Sequence, residues 1–204
     1  MFTENEVSAL INYPTILQET VKLKEKFINE EAEFLEISDH DFLSLILLTP
    51  SVGIALSNGS VSLFEEMALN KKARKLSKGG FWMQQDPVVF AMELLIKNYD
   101  KWSLIFFNHI KSVIKLTANT NSLINPDFSI ENSTDNEQCI QVLKSPFIII
   151  RFITSFFMND EEEDLLAERK IAQIEYDRII EISEQIDITE IPVFQIFRSR
   201  LKVK

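Results

Sequence analysis

The hydrophobic residues of this chain recur with the period of an α-helix. In residues 15–36 and again in residues 160–187, apolar side chains return at intervals of three, four or seven positions. Residues at these intervals lie on one face of a helix, and the intervening residues are mostly charged. The repeating apolar positions are Leu17, Val21, Ile28 and Leu35 in the first segment, and Leu165, Ala172, Ile179 and Ile186 in the second. Both segments are therefore predicted to be amphipathic helices.

Helix-start signals divide the remaining chain into further elements. A hydroxyl or carboxylate side chain can accept the free N–H groups of a first helical turn, and proline is favoured at the first helical position. Such signals occur at Thr3-x-x-Glu6, Thr15-x-x-Gln18, Ser38-x-x-Asp41, Ser62-x-x-Glu65, Asp86-Pro87 and Ser145-Pro146. The predicted helices lie near 3–12, 15–36, 39–56, 62–77, 87–99, 101–118, 146–158, 160–187 and 192–201.

Two segments allow more than one interpretation. The stretch IALSNGSVSLFEE (54–66) contains Asn58-Gly59, a common hairpin turn, but its flanks do not alternate with period two as strands do. A helix that ends at Gly59, followed by a helix capped by Ser62, fits better. Residues 147–157 are rich in Ile and Phe and would suit a buried strand, although the helical neighbours favour a helix.

Composition supports an all-α fold. The 204 residues include only 4 Gly and 6 Pro, which β-proteins use in their many turns, while 46% of residues are hydrophobic. The prediction is a single domain over 1–204, an irregular bundle of about eight or nine helices with a polar loop at about 119–138. One cysteine, Cys139, excludes an intramolecular disulfide. The absence of a secretory signal and of a 20-residue apolar span, with Pro50 interrupting residues 42–56, predicts a cytoplasmic protein without a membrane span.

Charge is distributed unevenly along the chain. The net charge of −10 disfavours binding to nucleic acid phosphates. Residues 62–118 hold nine basic and five acidic residues, a net charge of +4, whereas residues 119–190 hold five basic and sixteen acidic residues, a net charge of −11. Complementary charge predicts a protein partner or self-association, most simply as a dimer that salt weakens. The candidate partner-binding residues are Lys71, Lys72, Arg74 and Lys75.

Carboxylates provide the candidate metal site. On one continuous helix, residues seven positions apart drift by only about 20° per step, so Glu161, Glu168 and Glu175 would form a row. A facing carboxylate such as Glu65 could complete a site for Ca²⁺ or Mg²⁺, which prefer oxygen ligands. Charged residues beside an apolar face are also an ordinary solvated surface. No phosphate-binding loop, dinucleotide-binding motif or nucleophile motif occurs, and the two histidines lack metal-ligand spacing.

Residues 53–76, GIALSNGSVSLFEEMALNKKARKL, resemble the first helix–loop–helix of TerB-like proteins, the helical tellurite-resistance family. The matching features are a small-residue-rich helix, a turn with glycine, a hydroxyl cap and a glutamate: Gly53, Ala55, Gly59, Ser62 and Glu65. The resemblance implies a helical fold and a divalent-cation site near Asn58 and Glu65. Asn58 stands where the family has an acidic residue.

Three functions are consistent with this sequence. The first is a non-enzymatic interaction or scaffolding protein, favoured because large apolar helices and segregated charge occur without a catalytic constellation. The second is a TerB-like divalent-cation-binding module in stress response. The third is an enzyme or a carrier of a hydrophobic ligand, suggested by the 16 phenylalanines.

Overall fold

The computed structural model describes residues 1–79, 86–117, 147–156 and 168–204. In these ranges the protein has nine α-helices, one 3-10 turn and two three-residue strands, so the predicted all-α multi-helix fold is confirmed. The helices are α1 (Glu4–Ile11), α2 (Pro14–Glu31), α3 (Asp39–Ala55), α4 (Leu63–Leu76), α5 (Pro87–Lys97), α6 (Tyr99–Thr117), α7 (Phe147–Ser155), α8 (Gln173–Gln185) and α9 (Pro192–Arg200). The 3-10 turn is Leu56–Asn58, and the strands are β1 (Arg169–Ile171) and β2 (Leu201–Val203).

Most of the predicted helix starts are confirmed by their capping hydrogen bonds. The side chains of Thr3, Ser38 and Ser62 each accept the backbone N–H three residues later, and Asp86 accepts that of Val88. The predicted cap at Thr15 is wrong, because α2 already begins at Pro14, which has no N–H of its own to leave unpaired at the first helical position. Ser145-Pro146 lies outside the described residues.

Helix α3 is the centre of the molecule. It contacts seven other helices (α1, α2, α4, α5, α6, α7 and α8), and nearly all of its side chains are buried. Pro50 does not end the apolar stretch, because α3 continues through it to Ala55. Residues Asp39–Asn58 are therefore long and apolar enough to cross a membrane by composition, yet 94% of an apolar 18-residue window in this stretch is buried inside the fold. Such burial is typical of a core helix.

Aromatic side chains join α2, α3 and α6 in the core. The ring centroids of Phe27 and Trp102 are 4.9 Å apart, and those of Phe42 and Phe106 are 5.8 Å apart in an edge-to-face arrangement. At the end of α2, the Glu31 carboxylate accepts the Trp102 indole N–H at 2.8 Å and the Asn98 amide at 2.7 Å. These bonds fix the start of α6 against the end of α2.

The predicted helix over 15–36 is too long at its C-terminal end. Helix α2 ends at Glu31, and Ala32 leaves helical geometry with φ −162° and ψ 82°. The chain then turns so that Ile37 is buried and its carbonyl accepts the Lys24 ammonium at 3.4 Å. Tertiary burial of this turn outweighs the helical preference of the glutamate-rich segment.

The predicted helix over 160–187 is wrong at 168–172, and its residues 160–167 lie outside the described part of the chain. Residues 169–171 form β1, which pairs in parallel with β2 so that Arg169 lies opposite Leu201 and Ile171 opposite Val203. Helix α8 begins only at Gln173, and its buried face consists of Ile179, Ile182 and Ser183. Segment 147–155 is a helix, as preferred from its neighbours, whereas the polar loop at 119–138 lies outside the described residues.

Candidate functional site

Helix α4 has one buried face and one exposed apolar face. Its buried residues follow helical spacing and pack towards α3 and α5: Leu69, Lys72, Ala73 and Leu76. At its N-terminal end, three large apolar side chains point to solvent instead, with exposed fractions of 75% for Leu63, 82% for Phe64 and 63% for Met67. Exposed apolar side chains that adjoin one another commonly mark a contact surface for a partner. We call these three residues the α4 apolar cluster.

The position of α4 is fixed at both ends. At its start, the Ser62 hydroxyl and the Glu65 carboxylate form a reciprocal capping box, with Ser62 N–H donating to Glu65 Oε2 at 2.8 Å. Beyond its end, the backbone N–H of Lys78 donates to Asp41 Oδ1 on α3 at 3.2 Å. Burial raises the pKa of Asp41, but hydrogen bonds from His40, Ser38 and Lys78 outweigh burial and leave that pKa below its ordinary value. The exposed face of α4 is therefore held on a rigid support.

Three of the four predicted partner-binding lysines and arginines lie on the surface of α4. Lys71, Arg74 and Lys75 are exposed and continue the outer surface of the helix beyond the α4 apolar cluster. Lys72 is not available to a partner, because only 2% of it is exposed and its ammonium donates to the Ser155 carbonyl at 3.3 Å. The fourth residue of the predicted set thus belongs to the core, where it contacts the carbonyl end of α7.

The predicted carboxylate row requires one helix, and the chain does not form that helix. Glu168 precedes β1 with its carboxylate 3.7 Å from the Lys202 ammonium, and Glu175 caps α8 by accepting the Ala172 N–H at 2.8 Å. Glu65 is engaged by Ser62, and Glu161 lies outside the described residues. In the described ranges no three metal-ligating side chains converge, and cation binding stays a prediction.

A polar cluster of Glu19, Thr20 and His109 lies between α2 and α6. The ring of His109 is 3.1 Å from Glu19 Oε2 through Nδ1 and 3.0 Å from Thr20 Oγ1 through Nε2. His109 and Glu19 line an open cleft of about 340 Å³, together with Leu23 and Ile105. Burial lowers the pKa of His109, and Glu19 opposes this shift only in part. Thr20 is fully buried, so this hydroxyl serves as a hydrogen-bond partner inside the core.

A second cavity, of about 470 Å³, lies where α5 meets α6. Its lining carries three cationic side chains, those of Lys97, Lys101 and Arg178. Lys101 forms an ion pair with Glu30 at 3.0 Å, and Arg178 forms one with Glu181 at 2.9 Å. Two of the three positive charges are therefore neutralised within the chain.

Sequence patterning missed the α4 apolar cluster. The signal was present, because Leu63, Phe64 and Met67 are spaced by three and four positions and form a second apolar stripe on the helix. The pattern alone does not reveal which of the two stripes faces the core. The helix–loop–helix form of residues 53–76 is confirmed, with Gly59 in the left-handed conformation at φ 86°.

Comparison with known proteins adds no family. No protein-family model, curated protein or solved structure matches this chain. The resemblance to TerB-like proteins therefore stays a prediction.

Proposed function

We propose that this chain is a non-enzymatic helical interaction protein that binds another protein chain through the outer face of α4. The α4 apolar cluster is the observation that carries this proposal. Its three side chains adjoin one another on a helix that is anchored at both ends. Burial of a large apolar side chain contributes about 1.5–3 kcal/mol, so a partner that covers the cluster gains most of its binding free energy there.

The basic residues that follow the cluster support a protein partner with negative charge. Exposed charges at the edge of an interface accelerate association and select partners more than they add affinity. Lys71, Arg74 and Lys75 occupy this position next to the cluster. The proposed interface thus has an apolar centre and a basic edge.

The experiment compares two double substitutions. Phe64→Ser with Met67→Ser removes the proposed centre, whereas Leu104→Ser with Leu116→Ser removes two exposed apolar side chains of α6 as a matched control. The purified proteins are measured by sedimentation velocity, and each is used to capture proteins from the source cell. Captured proteins are then purified and titrated against both variants.

Under the proposal, the α4 variant keeps the wild-type circular dichroism and melting temperature but loses binding at least about tenfold, the size expected of a central interface residue. The α6 variant keeps wild-type binding. Equal binding by wild-type protein and the α4 variant, to every partner including a second copy, would reject α4 as the interface.

A further inference from the structure

The two most exposed aromatic side chains of the described residues lie on surfaces of opposite charge. Phe64, 82% exposed, belongs to the α4 apolar cluster and precedes the basic end of α4. Phe34, 94% exposed, lies in the turn between α2 and α3. The sequence around this second residue is EEAEFLE (30–36), and the side chains of Glu33 and Glu36 are exposed. We call residues 32–36 the Phe34 turn.

The Phe34 turn is a fixed structure. The backbone N–H of Leu35 donates to the Ala32 carbonyl at 2.9 Å, which closes a tight turn. Leu35 packs against the core, so its neighbour Phe34 points outwards. Directly after the turn, the carbonyl of Ile37 accepts a hydrogen bond from the ammonium of Lys24 on α2. An aromatic side chain in a rigid turn loses little conformational entropy on binding.

The two surfaces complement each other in chemistry. The α4 surface offers Leu63, Phe64 and Met67 beside cationic side chains, and the Phe34 turn offers one aromatic anchor between carboxylates. Of the two acidic residues in the first turn of α4, Glu66 is half-buried and points to a different side of the helix from Phe64, two positions away. The carboxylate of Glu65 accepts the Ser62 hydroxyl. The chain itself therefore carries an acidic surface, the Phe34 turn, that is suited to bind the basic edge of α4.

We infer that the α4 face binds the Phe34 turn of a second copy of this chain. This inference rests on the proposed function and names its partner. Phe34 of one copy packs on the α4 apolar cluster of the other, and Glu33 and Glu36 meet the basic residues of α4. Because each copy carries both surfaces, two such contacts related by a two-fold axis form a closed dimer, whereas a geometry that does not close forms a longer series.

A charge-exchange experiment tests the partner. Variant A carries Arg74→Glu and Lys78→Glu, and variant B carries Glu33→Lys and Glu36→Lys. Each variant alone places like charges on both surfaces and is expected to associate at least about tenfold more weakly than wild type. An equimolar mixture of A and B restores opposite charges in both contacts, so it is expected to associate as the wild type does.

The controls keep the net charge equal. Lys97→Glu with Lys170→Glu matches variant A, and Glu184→Lys with Glu190→Lys matches variant B; all four positions are exposed. Phe34→Ser tests the anchor separately and is expected to weaken association at least about tenfold. Circular dichroism and melting temperature confirm that each variant folds.

The outcomes separate this inference from the proposed function. Restored association in the mixture supports the Phe34 turn as the occupant, whether the assembly is a dimer or a longer series. If variant A loses association and the mixture does not regain it, α4 remains an interface but its occupant is another segment. If the wild-type protein stays monomeric at the highest accessible concentration, the inference is overturned, while capture of a different partner through Phe64 and Met67 would still uphold the proposed function.

Discussion

At the scale of single residues, Gly53 leaves no room for a side chain beside Tyr99. A Cβ atom at Gly53 would lie 2.2 Å from Tyr99 Oη and 2.8 Å from Ile182 Cδ1. Glycine therefore allows α3 to approach α6 and α8. The Tyr99 hydroxyl is buried and has no hydrogen-bond partner among the described residues, and burial raises its pKa above the ordinary value.

We expect Gly53→Ala to lower the free energy of unfolding by about 1–3 kcal/mol, because overpacking displaces neighbouring side chains or backbone. Tyr99→Phe should leave stability unchanged or raise it by about 1 kcal/mol, since it removes a buried hydroxyl that lacks a partner. The double variant should regain most of the loss from Gly53→Ala. Urea unfolding of all four proteins measures the coupling, and additive effects would show that the two side chains do not meet.

Helix caps were predictable from the sequence, whereas the burial of single side chains was not. Thr3, Ser62 and Asp86 act as caps because a cap depends on atoms only two or three residues away. Lys72 was misjudged because the sequence does not reveal which lysine of KKARK faces the core. The exposure of Phe34 has the same origin, since the place where α2 stops depends on the burial of Ile37 rather than on local preference.

At the scale of elements, the contact between α2 and α6 contains a group that titrates. His109 is buried between these helices with Glu19 and Thr20 as partners, and burial lowers its pKa below the ordinary value of 6.5. The unfolded chain therefore binds a proton at about pH 6.5, where the folded protein does not yet bind it. The free energy of unfolding must decrease as the pH falls below this value.

We expect the loss to be about 1.4 kcal/mol for each unit that separates the two pKa values, and to stop once the pH falls below the folded pKa. His109→Gln cannot titrate, so its free energy of unfolding should stay nearly constant between pH 7 and about pH 5.5. Urea unfolding at several pH values compares the two proteins. Parallel curves for wild type and variant would contradict a neutral buried His109.

The pKa values of Asp41 and Glu31 are lowered, so these two carboxylates affect stability at more acidic pH. There the free energy of unfolding decreases as they bind protons.

Element order was predictable from the sequence, except where a distant segment decides. Seven of the nine described helices start and end close to their predicted positions because caps and apolar periodicity are local signals. Residues 169–171 form a strand because they pair with Leu201–Val203, and the residues near 169–171 do not by themselves predict this pairing. For the same reason the carboxylate row failed as a geometric prediction, since Glu168 and Glu175 lie on different elements.

At the scale of the whole molecule, the proposed association would depend on charges that salt screens. At about 0.15 M salt the screening length is about 8 Å, and at 1 M it is about 3 Å. We expect unmodified protein to self-associate at low salt and to associate several-fold more weakly at 1 M salt. Sedimentation velocity at several concentrations and two salt levels measures this dependence. Stronger association at high salt would instead indicate that apolar burial alone drives the contact.

The burial of Lys72 makes the primary amines of α4 chemically unequal. Lys71 and Lys75 on the helix and Lys78 just beyond its end are exposed residues, while Lys72 lies inside the fold against the end of α7. A reagent or enzyme that acylates lysine therefore meets the amines of the outer face first and leaves the internal one unmodified. Acylation would remove most of the positive charge of this surface while the packing beneath it stays intact, so a covalent modification would weaken the proposed interface without unfolding the protein.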